Sequence, residues 1–227
     1  MRPTFACQRD RAFSRVDLTV VIAVLLIVLV TLLPLMLAAV KRRVLRIQCV
    51  NNLKQINDAF RSWEAEHTNA FPNYPALVSV TNGGTMELVN RTNAWINFAV
   101  LDNEFESNMP EVFHCPADTG RAAATNFNDL PGKISYFINL NANVFSSDMP
   151  VDGDDNFATN GIPVESGLLD LSPNTVVTWT SGRHKFVGNI SFADGSVSRI
   201  SDSRLLKTIE QTGSATNGEP TNRIAIP

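Results

Sequence analysis

The segment Ala12–Val40 constrains this chain more than any other. Phe13 follows a short basic leader, and from Leu18 to Val40 no side chain is charged. An uncharged apolar run of that length crosses a bilayer as one helix, because about 20 residues at a rise of 1.5 Å match a hydrocarbon core about 30 Å thick. It exceeds the h-region of a secretory signal peptide, about 7–15 residues. Arg15 and Asp17 stand beside its start, and the best small-residue exit, Leu37-Ala38-Ala39, has Leu where cleavage needs a small side chain. The reading is that the run stays in the mature protein as a transmembrane helix.

The helical signal continues beyond the run. Cys49, Leu53, Ile56, Phe60 and Trp63 recur at spacings of four, three, four and three, one apolar stripe of an amphipathic helix that packs against the protein's own head. Lys54, Asp58, Arg61 and Glu64 keep the other faces soluble. The signal fades at His67-Thr68-Asn69, and Pro72 and Pro75 fix a loop. Pro34 lies inside the span. There it either kinks the helix by removing one hydrogen bond or is tolerated as membrane prolines are.

After residue 75 the pattern predicts a mixed α/β head with antiparallel strands, so the fold class is α+β. Asn82-Gly83-Gly84 is a turn signal, Met86–Asn90 a candidate strand and Trp95–Leu101 a short apolar segment of open type. Ile134–Leu140, Thr175–Thr180, Asn189–Ala193 and Ser196–Ile200 read as strands. Asp194-Gly195 between the last two predicts a hairpin. Ser201-Asp202-Ser203 offers cap oxygens for a helix bearing Leu205, Leu206 and Ile209, and a polar tail follows from Thr212. The organisation is thus a leader over 1–12, a long helix over 13–67 with its span at about 18–40, a head over 68–211 and a flexible tail over 212–227.

Little in the head suggests catalysis. His67, His114 and His184 are the only histidines, and none has a histidine at i+4 or a paired CxxC. No Gly-x-Ser-x-Gly elbow or phosphate loop occurs, so the chain reads as a non-enzyme that needs no cofactor. Asp152, Asp154 and Asp155 gather hard oxygen ligands that suit calcium. The loop fails the EF-hand pattern, with Pro163 at the twelfth position where the bidentate Glu belongs, and the alternative is a solvated acidic loop.

Several ordered elements carry a resemblance. Arg11-Ala12-Phe13-Ser14-Arg15-Val16-Asp17-Leu18 with the apolar run behind it resembles the class III leader of type IV pilins and type II secretion pseudopilins. Cys49-Val50-Asn51-Asn52-Leu53-Lys54-Gln55-Ile56, Val112-Phe113-His114-Cys115-Pro116, and Arg183-His184 with Asp194-Gly195 after nine intervening residues resemble a pseudopilin-like subfamily of planctomycete and verrucomicrobial genomes with a His-x9-Asp-Gly element. Ala12 stands where the family usually has Gly, Arg15 where it has Leu, and Asp17 where it has Glu.

The resemblance implies a pilin-like head and cleavage by prepilin peptidase between Ala12 and Phe13, with N-methylation of Phe13. It further implies pairing of Asp17 with a neighbouring subunit's terminal amine, and a helix that adapts at Pro34 during assembly. The partners would be prepilin peptidase, other pilin-like subunits, an inner-membrane assembly platform and the membrane itself. The amino terminus would face the cytoplasm and the head the periplasm, making a bacterial inner-membrane, single-pass protein. Major pseudopilins of type II secretion bind calcium in their heads, which adds weight to Asp152, Asp154 and Asp155.

Charge agrees with an exported head. The chain has formal charge −3, and the leader's net +2 leaves the remainder near −5, no electrostatic case for nucleic acid. Cys7 leaves with the leader, so Cys49 and Cys115 remain in an oxidising compartment, either bridged or as two buried thiols. The favoured role of His184 is to hydrogen-bond across its hairpin, with a ligand or partner contact as the alternative. Asp194 is the hairpin's turn residue.

Two function classes follow. One is a structural subunit of a type II secretion-like or type IV pilus-like assembly. The other is a membrane-anchored periplasmic binding module that recognises a glycan or an exported protein.

Overall fold

The computed structural model describes residues 14–90, 93–105, 109–212 and 222–227. Helix α1 runs from Arg15 to Glu66 and passes through Pro34 without a break in its helical assignment. Ser14 starts it: the Ser14 hydroxyl accepts from the Val16 N–H at 3.3 Å, while the Asp17 carboxylate reaches back to the Ser14 N–H at 3.1 Å. This Ser-x-x-Asp pair is a capping arrangement that satisfies orphan donors of the first turn. α1 is long and apolar enough to cross a membrane, so the chain carries a candidate anchor near its start.

The chain divides into two compact units, 1–43 and 44–227. In the first, the described leucines, valines and isoleucines of α1 are exposed on every side. The second is the head, built on the last turns of α1, where Cys49, Leu53, Ile56 and Phe60 are fully buried and Trp63 almost so.

The head holds nine strands, two further α-helices and several 3-10 turns among its described residues. The short helix α2 covers Ile96–Ala99 and α3 covers Asp202–Thr212. The strands are β1 (Tyr136–Asn139), β2 (Pro150–Asp154), β3 (Phe157–Thr159), β4 (Ile162–Pro163), β5 (Gly167–Leu171), β6 (Val177–Trp179), β7 (Gly188–Phe192), β8 (Val197–Ile200) and β9 (Asn222–Ile226). Six of them form an antiparallel sheet in the order β5-β9-β1-β2-β7-β8, and three form a second in the order β4-β3-β6.

Strand alternation sorts the core into two layers. Tyr136 and Ile138 of β1 and Ala225 of β9 join the cluster around the α1 stripe. Phe137, Ile190, Phe192, Ile224 and Ile226 face the other way, against Phe157, Val177 and Trp179 of the small sheet and Leu205 and Ile209 of α3. The large sheet is therefore covered by α1 on one face and by α3 with the small sheet on the other.

The expected strands at 134–140, 175–180 and 196–200 are present with trimmed ends and that at 189–193 is present one residue earlier, and β7 and β8 form the hairpin across Asp194-Gly195. Three expectations are corrected. Met86–Asn90 is a turn, because the Thr85 carbonyl accepts from the N–H groups of Leu88 and Val89. Asp152 and Asp154 belong to the buried strand β2, and Asp155 beside it is 5% exposed, so the segment is no solvated loop. Residues 222–226 of the expected tail are β9, inserted between β5 and β1, where Ile224, Ala225 and Ile226 bury their side chains.

Candidate functional site around Cys49 and Cys115

Three of the sequence elements that carried the resemblance, those around Cys49, Cys115 and the His184–Gly195 segment, gather at one length of α1. Cys49 is joined to Cys115 by a disulfide with Cα atoms 5.0 Å apart. One turn on, the Asn52 side-chain amide donates to the His114 carbonyl at 2.9 Å. The fully buried Asn57 amide donates to Ser191 Oγ at 2.9 Å and to the Phe192 carbonyl at 3.0 Å. Arg61 donates to the Asp194 carbonyl at 3.0 Å. Four side chains spaced along a helix thus tie it to the His114-Cys115 segment and to the β7–β8 hairpin.

The hairpin turn is built as its residues predict. Asp194 Oδ1 accepts from the Ser196 N–H at 2.8 Å, and bonds to Ser196 hold its carboxyl below the usual range. Gly195 takes φ +85°, which a residue without Cβ adopts freely. His114 Nε2 lies 3.1 Å from the carbonyls of both Asp118 and Arg121. Since both are acceptors, this nitrogen carries the proton.

His184 does not bond across its hairpin. It is buried, with Nε2 3.4 Å from Cys115 Sγ and 3.5 Å from Asp154 Oδ2. Its backbone is in the left-handed region at φ +42°, followed by Lys185 at +54° and Phe186 at +59°. Among the described residues, Cys49, Cys115 and His184 are the one group of three or more His, Cys, Asp or Glu whose ligand atoms lie within 4.8 Å of one another.

Asp152, Asp154 and Asp155 have separate engagements. Asp152 Oδ1 accepts from the Ser191 hydroxyl, and burial, reinforced by Asp154, pushes its carboxyl well above the usual range, favouring the protonated form. Asp154 Oδ2 accepts from the Asn189 N–H at 2.7 Å and from its side-chain amide at 2.8 Å. Asp155 is ion-paired with Arg183 and, at 2.7 Å, with Arg121. Three carboxylates held this way do not converge on one hard cation, so the expected calcium loop is replaced by a polar core.

Arg183 anchors that core, donating to the Ser135 carbonyl at 2.8 Å and lying 3.8 Å from Asp118. Burial raises the Asp118 carboxyl, but Arg183, the Ser135 hydroxyl, the Gly120 N–H and Arg121 together outweigh it and hold it below the usual range. Burial also lowers the Arg183 guanidinium, against the pull of Asp154 and Asp118.

Ala12 and Phe13 lie outside the described residues. Asp17 sits in the first turn of α1 and Pro34 within it. Sequence reasoning missed Asn57 and the inward role of Arg61. A lone polar residue next to Ile56 in an apolar stripe was the available signal for Asn57. Nothing in sequence marked Arg61, whose partner is a backbone carbonyl. Comparison with protein-family models, curated proteins and solved structures finds no match to this chain.

Proposed function

We propose that this chain is a pilin-like structural subunit, a pseudopilin of a type II secretion-like assembly or a minor pilin of a type IV pilus-like one. The observation that carries the reading is the double use of one helix. α1 exposes an entirely unburied apolar length, and its last turns are the spine of a head fastened by Cys49, Asn52, Asn57 and Arg61. A subunit moved by its helix has to pass load into its head, and a covalent bridge with three hydrogen-bonded side chains supplies that coupling.

In this reading prepilin peptidase cuts between Ala12 and Phe13, Phe13 is N-methylated, and the head stands in the periplasm. Apolar segments leave the bilayer and pack round a filament axis. In the single chain Asp17 accepts from its own Ser14 N–H; a neighbour's charged terminal amine is the stronger donor and takes its place. The test is mass spectrometry of the mature amino terminus from native membranes. A chain beginning with N-methylated Phe13 supports the subunit; an intact Met1 or a cut near Ala39 defeats it.

A polar groove of about 700 Å³ favours a second reading, the anchored binding module for a glycan or an exported protein. Ser147, Asp148, Ser196, Ser198, Arg204 and Lys207 line it with hydroxyls and charges. Asp17→Ala separates the two readings, since it abolishes filament incorporation in the first and leaves a simple anchor working in the second.

A further inference from the structure

We propose that the dithiol form of this chain binds a zinc-class divalent cation through Cys49 Sγ, Cys115 Sγ and His184 Nε2, with water in the fourth position and the Asp154 carboxylate beside the imidazole. The donor chemistry selects the metal. Two thiolates and an imidazole suit zinc and its borderline neighbours, whereas calcium and magnesium take oxygen.

Three independent observations point to the site. The first is spacing. A tetrahedral centre with metal–sulfur bonds of about 2.3 Å and metal–nitrogen bonds of about 2.0–2.1 Å sets its donor atoms roughly 3.5 Å apart. His184 Nε2 is 3.4 Å from Cys115 Sγ, and the ligand atoms of Cys49, Cys115 and His184 all lie within 4.8 Å of one another, so the three donors already stand near ligand spacing.

The second is an unpartnered oxygen. Asp154 is fully buried, and Asn189 directs its backbone N–H and its side-chain amide to Oδ2. Oδ1 is left without a hydrogen-bond partner. A buried carboxylate in that state draws positive charge, which Arg183 supplies in part and a cation held beside His184 would add to.

The third is strain. His184, Lys185 and Phe186 hold φ of +42°, +54° and +59° in succession, and none is glycine. L side chains occupy that region singly and reluctantly, and backbone held there by its surroundings marks functional sites. Here the result is an imidazole turned inward onto the two sulfurs while Lys185 and Phe186 remain outside.

The disulfide and the cation exclude each other, because both use the same two sulfurs. A newly made chain carries Cys49 and Cys115 as thiols. A dithiol reductant regenerates them by exchange: the Cys49–Cys115 bond accepts two electrons and two protons, and the reductant leaves as a disulfide. Binding the cation then releases both thiol protons. The fastening that joins α1 to the His114-Cys115 segment is thereby a covalent bridge in one redox state and a metal bridge in the other.

The test uses the full chain in detergent, titrated with Co²⁺ after phosphine reduction and, separately, after oxidation. The reduced chain should show thiolate-to-cobalt charge-transfer absorption saturating at about one equivalent, with Zn²⁺ displacing it, and the oxidised chain should show none. His184→Gln should weaken the reduced chain's Co²⁺ affinity by roughly tenfold or more. Absence of the charge-transfer band in the reduced chain, the same band in the oxidised chain, or equal titrations for wild type and His184→Gln would each overturn the proposal. The wild-type redox comparison needs no variant, so a His184→Gln chain that does not fold leaves it decisive.

Discussion

Residues 15–43 of α1 carry leucine, valine and isoleucine all round and leave the described ones exposed, whereas beyond Gln48 the same helix gathers its large apolar residues on one stripe, with Cys49, Leu53, Ile56, Phe60 and Trp63 buried and Val50 half-buried beside them. Both lengths share one backbone geometry, so the difference lies in the medium each is written for. Helix hydrophobic on every side matches a surrounding that is apolar on every side. Helix hydrophobic on one stripe matches a protein core on that stripe and water elsewhere. Lys41, Arg42 and Arg43 mark where one regime gives way to the other. A single element can therefore be an anchor and a core helix in turn, and its stability effects should divide at the same point.

The sharpest way to break that comparison is a pair of truncations. Phe60→Ala opens a cavity among Tyr74 and Phe98, its aromatic neighbours at centroid distances of 5.8 and 6.1 Å. It should destabilise the head by about 3–5 kcal/mol. Leu25→Ala, in the exposed length, should change head stability by less than about 0.5 kcal/mol. Thermal unfolding of the detergent-solubilised chains, followed by near-ultraviolet circular dichroism, reads both. Equal losses would mean that the two lengths are not distinct regimes.

Next in size comes the covalent fastening. The Cys49–Cys115 bridge joins residues 66 apart, and its main effect is to restrict the unfolded chain. The double replacement Cys49→Ala with Cys115→Ala should cost about 2–4 kcal/mol, a fall in Tm of roughly 5–15 °C. An unchanged Tm against the oxidised parent would place the hold on α1 in its packing alone.

Asn57→Ala tests the buried polar fastening. It leaves the Phe192 carbonyl without this donor and breaks the bond to Ser191 Oγ. The expected loss is about 1–3 kcal/mol. Asn57→Asp should be at least as harmful, because it keeps the shape and removes the donors. Parental stability in either variant would show that water replaces the amide.

What the sequence made legible follows the same divide. The α1 stripe, the β7–β8 hairpin and α3 were readable because each rests on a local period or a turn pair within a few residues. β9 was missed since Asn222–Ile226 follows a polar stretch, and its partners β5 and β1 come from about 55 and 85 residues earlier in the chain. The acidic segment was misread for a related reason. Asp152 and Asp155 look like a solvated loop until Ser191, Arg121 and Arg183 arrive from other elements to satisfy them. Spacing announced neither His184 beside Cys115 nor Asp154 beside His184, because 69 residues separate the first pair and a left-handed turn sets the second.

The smallest effect concerns the hairpin tip. Gly195 has φ +85°, and a Cβ built there would lie 2.5 Å from Arg61 Nη1. The near atom is the far end of a flexible side chain, so the contact can relax, whereas the positive φ cannot. Gly195→Ala should therefore cost about 1–2 kcal/mol, nearly all of it backbone strain. Arg61→Ala, which removes one exposed hydrogen bond to the Asp194 carbonyl, should cost about 0.5–1 kcal/mol. The double variant distinguishes the causes. If strain dominates, the two losses add to within about 0.5 kcal/mol. If the alanine methyl instead acts by displacing Arg61, the double variant is no less stable than Gly195→Ala alone. The tip would then be shaped by its contact with α1, and the division between local and tertiary determinants would fail at this turn.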